Sequence, residues 1–555
     1  MGALANKKEK SRWFGFRGGW LTFWITVACA TDMALFGYDQ GVFSGVVISS
    51  DYLDVHDLNG SEKTNLLSIV TSIYAVGCFF GAIVAFSIGE RLGRKKTIMI
   101  GSCIMAVGAA LQTSSFSVAH MMVGRIISGV GNGINTATAP VWQTETSQTK
   151  WRGKLVVLEM TMNIVGFSLV NWINFGLSFV GGAIAWRLPL ALQFLFLFVL
   201  FGTVPWLPES PRWLIAHGRE DEAIIILADL ENREATDPAI LAAKNEIAYS
   251  VRYERENAIR WRDLARGYSD GGTKTVRRLL LGIGSQVSHK PLWNVCILNR
   301  VEGDATVWWD KYHVLLNENK ANNIYNMPTL LMESVNLSDT MARLISAVSS
   351  IVYFFAALAA APLVERYGRR TMMIVSTAIQ FFCFLLMTIL LYYAQKEGYL
   401  GQEEAAKASV VFFFLYYIGF GLGMLGIPWL YPTEINSLPM RTKGAATATM
   451  SDWITNFIVV EVTPIGVQSL GWQFYIVWTV TNAAFLPILY FFYPETADRT
   501  LEDLDAYYRD NPSLIVTRDR DAISRKRPEK YAEMQQRDIR EVELDKAKTS
   551  VEHQA

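Results

Sequence analysis

Apolar residues gather along this chain in runs of about twenty, the length a helix needs to cross a bilayer. The runs predict helices near 19–46, 64–89, 96–114, 118–143, 155–181 and 185–206, and again near 341–364, 371–394, 408–432, 445–467 and 471–493. Between the two sets lie a polar stretch at 207–275 and a compromised candidate span within 276–335. Counting that candidate, the pattern predicts an all-α polytopic membrane protein with twelve helices in two six-helix halves. The seventh helix is atypical.

Basic residues cluster at Arg91, Arg94, Lys95 and Lys96, at Lys150, Arg152 and Lys154, and throughout 212–278. The excess of Lys and Arg in loops on one side predicts that these segments and both termini are cytoplasmic. The expected organisation is a cytoplasmic N-terminus at 1–18, a first half at 19–206, a cytoplasmic helical linker at 207–275, a second half at 276–493 and a cytoplasmic tail at 494–555. The loops at 47–63 and 335–340 then face outward, each with a glycosylation triplet beginning at Asn59 or Asn336. Residues 217–265 mix charges with apolar residues at helical spacing. After about residue 507 the tail alternates charge with little to bury, which predicts a mobile segment.

Lys plus Arg and Asp plus Glu number 51 each, so the charge balance favours no nucleic-acid partner. Four of the five cysteines sit in apolar runs without disulfide or zinc spacing and read as packing residues. The six His are scattered and no glycine-rich phosphate loop follows a strand. No enzymatic constellation, cofactor or metal site is expected.

The chain repeats itself. GERLGRKKT at 89–97 and VERYGRRT at 364–371 share the order acid, Arg, any residue, Gly, Arg, basic. Glu145 precedes Arg152 by the interval at which Glu434 precedes Arg441, and PESPR at 208–212 is matched by PETADR at 494–499. Three pairs at similar separations mark two copies of a six-helix unit. Parallel halves of this kind belong to alternating-access carriers, which hold substrate between the halves near the midplane. The motifs resemble the signature set of the sugar porter family within the major facilitator superfamily. NWINFGLSFVGGAIAWRLPLALQ, PWLPESPRWLIAHGRE, GIPWLYPTEINSLPMRTKGAA and SLGWQFYIVWTV resemble its fungal sugar-transporter-like branch, whose members include proton symporters for glycerol and others for sugars.

Asp32 and Asp39 lie two helical turns apart on one face of an otherwise apolar run. A carboxylate in hydrocarbon costs several kcal/mol unless it meets a cavity or a partner, so that face should point inward. The resemblance implies that Asp39 binds the coupled proton and that Arg125 is its partner, a fixed structural ion pair being the alternative; Asp32 is expected only to lie near the extended cavity. It implies substrate contacts for Trp429, Trp453 and Asn456, with Asp452 standing where the family has an amide; Asn163 and Asn171 are candidates from the fifth span, and Tyr325 lies near the aromatic pair of the seventh. Glu90, Arg91, Arg94, Glu145, Arg152, Glu365, Arg366, Arg369, Glu434 and Arg441 would form a cytoplasmic gate that locks the halves in one state and separates in the other. For each aromatic or Asn, helix packing is the alternative.

The amide pattern of the family's seventh helix is missing after Gln286. Residues 287–321 hold too many charges to span a bilayer, and translated intron or a genuine inserted loop would each account for them. The expected function is proton-coupled uptake of a sugar or polyol across the plasma membrane, the partners being that solute, protons and the lipid bilayer. A facilitative uniporter and a non-transporting nutrient sensor remain the alternatives.

Overall fold

The computed structural model describes residues 15–60, 63–147, 152–256, 274–287, 335, 337–437, 440–499, 501–510, 512–531 and 533. Their regular structure is entirely helical. The first half holds α1 (Gly19–Val46), a short α2 (Ser50–Val55), α3 (Thr64–Leu92), α4 (Arg94–Thr113), α5 (Val118–Thr146), α6 (Arg152–Leu177) and a sixth span built from α7 (Gly182–Ala191) and α8 (Gln193–Thr203). After α9 (Pro211–Ala216), α10 (Glu220–Glu231) and α11 (Pro238–Glu256) comes the second half. It contains α12 (Thr275–Val287), α13 (Asp339–Tyr367), α14 (Arg369–Gln395), α15 (Gln402–Gly419), α16 (Ile427–Ile435), α17 (Arg441–Leu470) and α18 (Phe474–Phe492). The tail adds α19 (Leu501–Arg509) and α20 (Arg520–Ile523). Below, the end of the bundle carrying α9 to α11 is the linker end, and the opposite one the far end.

The packing pattern is the same in both halves. α1 lies on α6 as α12 lies on α17, α3 on α5 as α13 on α15, and α4 on α5 as α14 on α15. The halves meet through α3 against α17 and α6 against α13, which are equivalent contacts under the same exchange. Twelve spans in two six-helix halves therefore follow, with α12 the described part of the seventh; residues 288–334, including most of the anomalous segment, lie outside the described residues.

One span departs in shape from the predicted pattern, and others in polarity. The run at 408–432 is two helices joined by a π-helical turn over Phe420–Met424. There the sequence alternates glycine, and a Cβ on Gly423 would stand 2.5 Å from the Met372 carbonyl of α14; close approach bends the helix where periodicity sees only an apolar run. Among the described residues α5, like α6 and α17, is not one of the eight helices that qualify as spans by length and apolar composition; in α5 the inward face is polar.

Close packing draws α1 onto α6. A Cβ on Gly37 would lie 1.8 Å from the Asn163 carbonyl, and one on Gly166 1.8 Å from the Ala34 carbonyl. No side chain fits between these two helices there.

In its described part, up to residue 533, the tail corrects the expectation of mobility after about 507; residues 534–555 lie outside the described residues. Tyr507, Tyr508, Val516, Ala522 and Tyr531 are buried in one apolar cluster with Leu281 of α12, Tyr431 of α16 and Tyr493. Arg278 of α12, fully buried, pairs with Asp505 at 2.5 Å and donates to the Ile435 carbonyl. Arg527 forks onto Asp503 at 2.7 and 2.8 Å. Charge alternation hid tyrosines that the second half provides a place to bury.

Removing one partner of a buried ion pair leaves the other uncompensated, so Asp505→Ala should cost about 3 kcal/mol. The full chain purified in detergent should melt at clearly lower temperature, and Arg278→Met added to Asp505→Ala should recover part of the loss; a double variant less stable than the single one would contradict this account.

Candidate functional site

Of the two carboxylates in the first span, Asp39 is paired with a cation, as hydrocarbon favours. Asp39 of α1 is fully buried, with Arg125 Nη1 of α5 at 3.6 Å and the Ser128 hydroxyl donating to its Oδ2 at 3.2 Å. Arg125 is held from the other side: Nη2 donates to the Thr71 carbonyl at 3.1 Å, and its guanidinium lies 3.9 Å from the Phe43 ring centre and 4.4 Å from that of Tyr74. Aromatic faces stabilise the cation without neutralising it. The contact of 3.6 Å is long for a charge-assisted hydrogen bond.

At the centre the halves touch through an aromatic contact. Trp453 of α17 is fully buried, its ring 5.4 Å from Phe36 and 6.4 Å from Tyr74, both of the first half. Trp429 of α16 packs on the same cluster. Trp453 Nε1, Asn456 Oδ1, Asn163 Nδ2 and Gln286 Oε1 are buried without a hydrogen-bond partner in the protein. Such groups are costly unless a ligand or water satisfies them. Asn171 differs, because its amide nitrogen donates to the Phe167 carbonyl at 2.8 Å and its oxygen faces the Ser44 hydroxyl at 3.5 Å. Asp452 is buried with interactions of its own. Tyr325 lies outside the described residues.

The gate residues assemble as a matched set at the linker end. Arg94 forks onto Glu145 with two contacts of 3.0 Å, and Arg369 onto Glu434 at 3.0 and 3.2 Å. Each fork lies within one half. Arg369 also reaches Glu365 at 3.2 Å. Glu90, Arg91 and Arg366 are exposed at the helix ends, Arg441 is half-buried with a partner, and the side chain of Arg152 is outside the described set. A cavity of about 440 Å³, lined by Glu90, Arg94 and Glu145 on one side and Lys443 and Thr449 on the other, opens between the halves here. At the far end they are joined: Ser72 donates to Glu461 at 2.5 Å, Ser350 to Ser168 at 3.0 Å, and Arg343 to the Gly45 carbonyl at 3.4 Å.

Sequence reasoning missed the residues that brace this gate. Glu209, from PESPR, accepts from the Arg94 and Lys95 backbone N–H groups at 3.0 and 3.3 Å, capping α4. Glu495, from PETADR, accepts from those of Arg369 and Arg370 at 2.8 and 3.2 Å, capping α14. A carboxylate at a helix N-terminus satisfies free donors and meets the positive end of the dipole. Burial raises the Glu209 carboxyl above its ordinary range, opposed by these N–H groups and that of Ser210. Gly93 and Gly368 admit the carboxylates: their φ values are 89° and 85°, and a Cβ would stand 2.6 and 2.3 Å from the carboxylate oxygens. Glu159 and Glu461 were also missed; as carboxylates within apolar runs they carried the same signal as Asp39.

Comparison with known proteins agrees in extent. The family model described as "Sugar (and other) transporter" matches residues 24–297 and 312–508, the gap falling inside the anomalous segment. The chain is 61% identical over 548 residues to the MFS-type transporter oryC of Aspergillus oryzae, covering 99% of this chain and 96% of that one. It is 31% identical over 523 residues to the Sugar transporter STL1 of Saccharomyces cerevisiae, covering 91% and 85%. Among solved structures, the proton:xylose symporter XylE superposes with a TM-score of 0.68 at 21% identity, covering 88% of this chain and 99% of that one. The inward-open form of XylE from E. coli gives 0.65 at 20%, covering 87% and 99%.

Two substitutions probe the caps. Glu495→Gln replaces one of two acceptor oxygens by an NH2 donor, leaving the Arg369 or the Arg370 N–H without its partner, and should cost about 1–2 kcal/mol. Gly368→Ala adds backbone strain to the loss of the cap and should cost about as much or more. Both should lower the melting temperature of the purified chain, followed by tryptophan fluorescence.

Proposed function

This chain belongs to the sugar transporter family of the major facilitator superfamily, and from that premise we propose that it carries a sugar or polyol into the cell together with a proton, by alternating access, in the plasma membrane with both termini cytoplasmic. The observation that carries the reading is the buried Asp39–Arg125 pair. An ion pair inside a helical bundle is stable only while both members are charged; protonating Asp39 releases Arg125 to its carbonyl and aromatic neighbours, and loosens the tie between α1 and α5 at that level. Proton binding then biases the equilibrium between the two states, which is what coupling requires.

The substrate class rests on the contact between the halves. Trp453 and Phe36 offer flat apolar surface to the C–H faces of a polyhydroxylated ring or chain, while the unpaired groups of Trp453, Asn456, Asn163 and Gln286 suit its hydroxyls. In this reading the linker end is cytoplasmic, the joined far end is the closed gate, and the cavity at the linker end is the exit. The Arg94–Glu145 and Arg369–Glu434 forks stiffen each half, and the contacts between halves make and break.

The test is uptake of labelled glycerol, glucose, xylose and lactose by transporter-deficient cells expressing the full chain, at acidic and at neutral external pH, with alkalinisation of the medium followed in parallel. Uptake with proton entry supports the proposal, and uptake without it identifies a uniporter. Asp39→Asn should lower accumulation by about tenfold or more while exchange of substrate across the membrane persists. Trp453→Ala should reduce uptake under both regimes. Substrate binding without any flux would instead support a sensor.

A further inference from the structure

α1 and α5 run antiparallel, and polar partners face each other all the way down their contact. From the far end they are Asp39 with Arg125 and Ser128; Asp32, whose Oδ1 accepts from Asn135 Nδ2 at 2.8 Å; Cys29, whose thiol donates to the Ala139 carbonyl at 3.7 Å; and Thr26, whose hydroxyl accepts from Gln143, which also reaches Ser147 at 2.9 Å. On α5 these residues fall at helical spacing along one face. This polar stripe is why α5 does not qualify as an apolar span.

Glu159 of α6 closes the seam from the side. It is fully buried, and the titratable groups facing it are Asp32 and Cys29 of α1. Those facing Asp39 are Arg125 of α5 and Tyr74 and Cys78 of α3, with Tyr38 beside it. The Asp39 end of the seam therefore holds a cation, and the groups facing Glu159 supply none.

The unpartnered atoms in the lower seam are all acceptors: Asp32 Oδ2, Asn135 Oδ1, Gln143 Oε1 and both oxygens of Glu159. Two buried carboxyl groups facing each other without a cation repel when both are ionised, which makes sharing a proton favourable to such a pair. The acceptors are strung along several helical turns and not gathered around a point. That suits a proton handed along a line better than a metal cation, which asks for a shell of six or more oxygens.

We propose that Asp32 and Glu159 form a second proton-carrying station, which takes up the proton leaving Asp39 and passes it toward the linker end; this rests on the proton-coupled reading above. In the transfer an O–H bond breaks at Asp39 as one forms at the pair, Arg125 regains its counter-ion, and the pair gives up one proton at the linker end. Asp32 and Asp39 are two turns apart, about 10 Å along the helix, so the Ser128 hydroxyl and water carry the proton between them. Asp32 and Glu159 act on coupling, and substrate recognition stays with the groups at the contact between the halves.

The experiment uses the full chain in proteoliposomes, with labelled glycerol, glucose, xylose and lactose as probes. Each is followed as accumulation driven by an imposed proton gradient and as exchange at equal pH. Glu159→Gln and Asp32→Asn should each lower accumulation by about tenfold or more while exchange persists. Accumulation at the wild-type level in both variants overturns the proposal, as does accumulation driven by a sodium gradient in place of the proton gradient. Infrared spectroscopy supplies a measurement that needs no substrate: the wild-type protein should keep a protonated-carboxyl band at neutral pH that Asp39→Asn retains and Glu159→Gln or Asp32→Asn diminishes. A wild-type protein without that band overturns the proposal even if neither variant folds. If the wild type accumulates no probe under the proton gradient, or Asp39→Asn accumulates normally, the symport reading has failed, and the infrared band alone judges the pair.

Discussion

Hydrocarbon offers no partner to a polar group, and that constraint sorts the residues of every long helix in this bundle. Asp32, Asp39, Arg125 and Glu159 are each buried to within a few per cent of full enclosure, whereas Phe80, Phe198 and Phe382 are left outside. The seam between α1 and α5 exists because α5 can carry a polar stripe only if that stripe never sees lipid. The close approach of α1 to α6 at Gly37 and Gly166 then presses the back of the same helix against Glu159's neighbourhood. One helix thus holds the charged face on one side and the backbone-to-backbone contact on the other.

The second organising feature is the duplicated cap. Glycine at positive φ, a carboxylate on the next helix's first N–H groups, and an Arg–Glu fork beside it occur once in each half with nearly the same distances. Each cap fixes the angle between successive spans, α3 to α4 and α13 to α14. The forks do not cross between halves, so each braces the internal geometry of its own half. At the far end the contacts between the halves include polar ones, where three serines, a glutamate and an arginine bridge them.

Much of this was legible in the chain. The apolar runs marked the spans, the three repeated motifs marked the halves, and the cost of a carboxylate in lipid marked Asp39 as paired. Elsewhere the one-dimensional pattern misled for physical reasons. The π turn at Phe420–Met424 depends on what packs against its glycines, which periodicity does not encode. The tail reads as solvated charge because Tyr507, Tyr508 and Tyr531 are sparse, yet a waiting apolar surface on the second half buries all three. Asn171 looks like its neighbour Asn163 in sequence, and only the structure reveals that its amide is already occupied. Glu209 and Glu495 were recognised as part of a motif and not as caps, since their partners are backbone N–H groups that no side-chain pattern records.

The tail's docking has a mechanical meaning. Gly18 N–H donates to the Asp229 carbonyl at 2.6 Å, so α10 fastens the entry of the first half, while α19 and α20 load only the second. The two halves are consequently ballasted by different material, one by the segment that joins them and one by the tail. A modification, a bound protein or a proteolytic cut after Tyr493 would bear on the half that the described tail packs against.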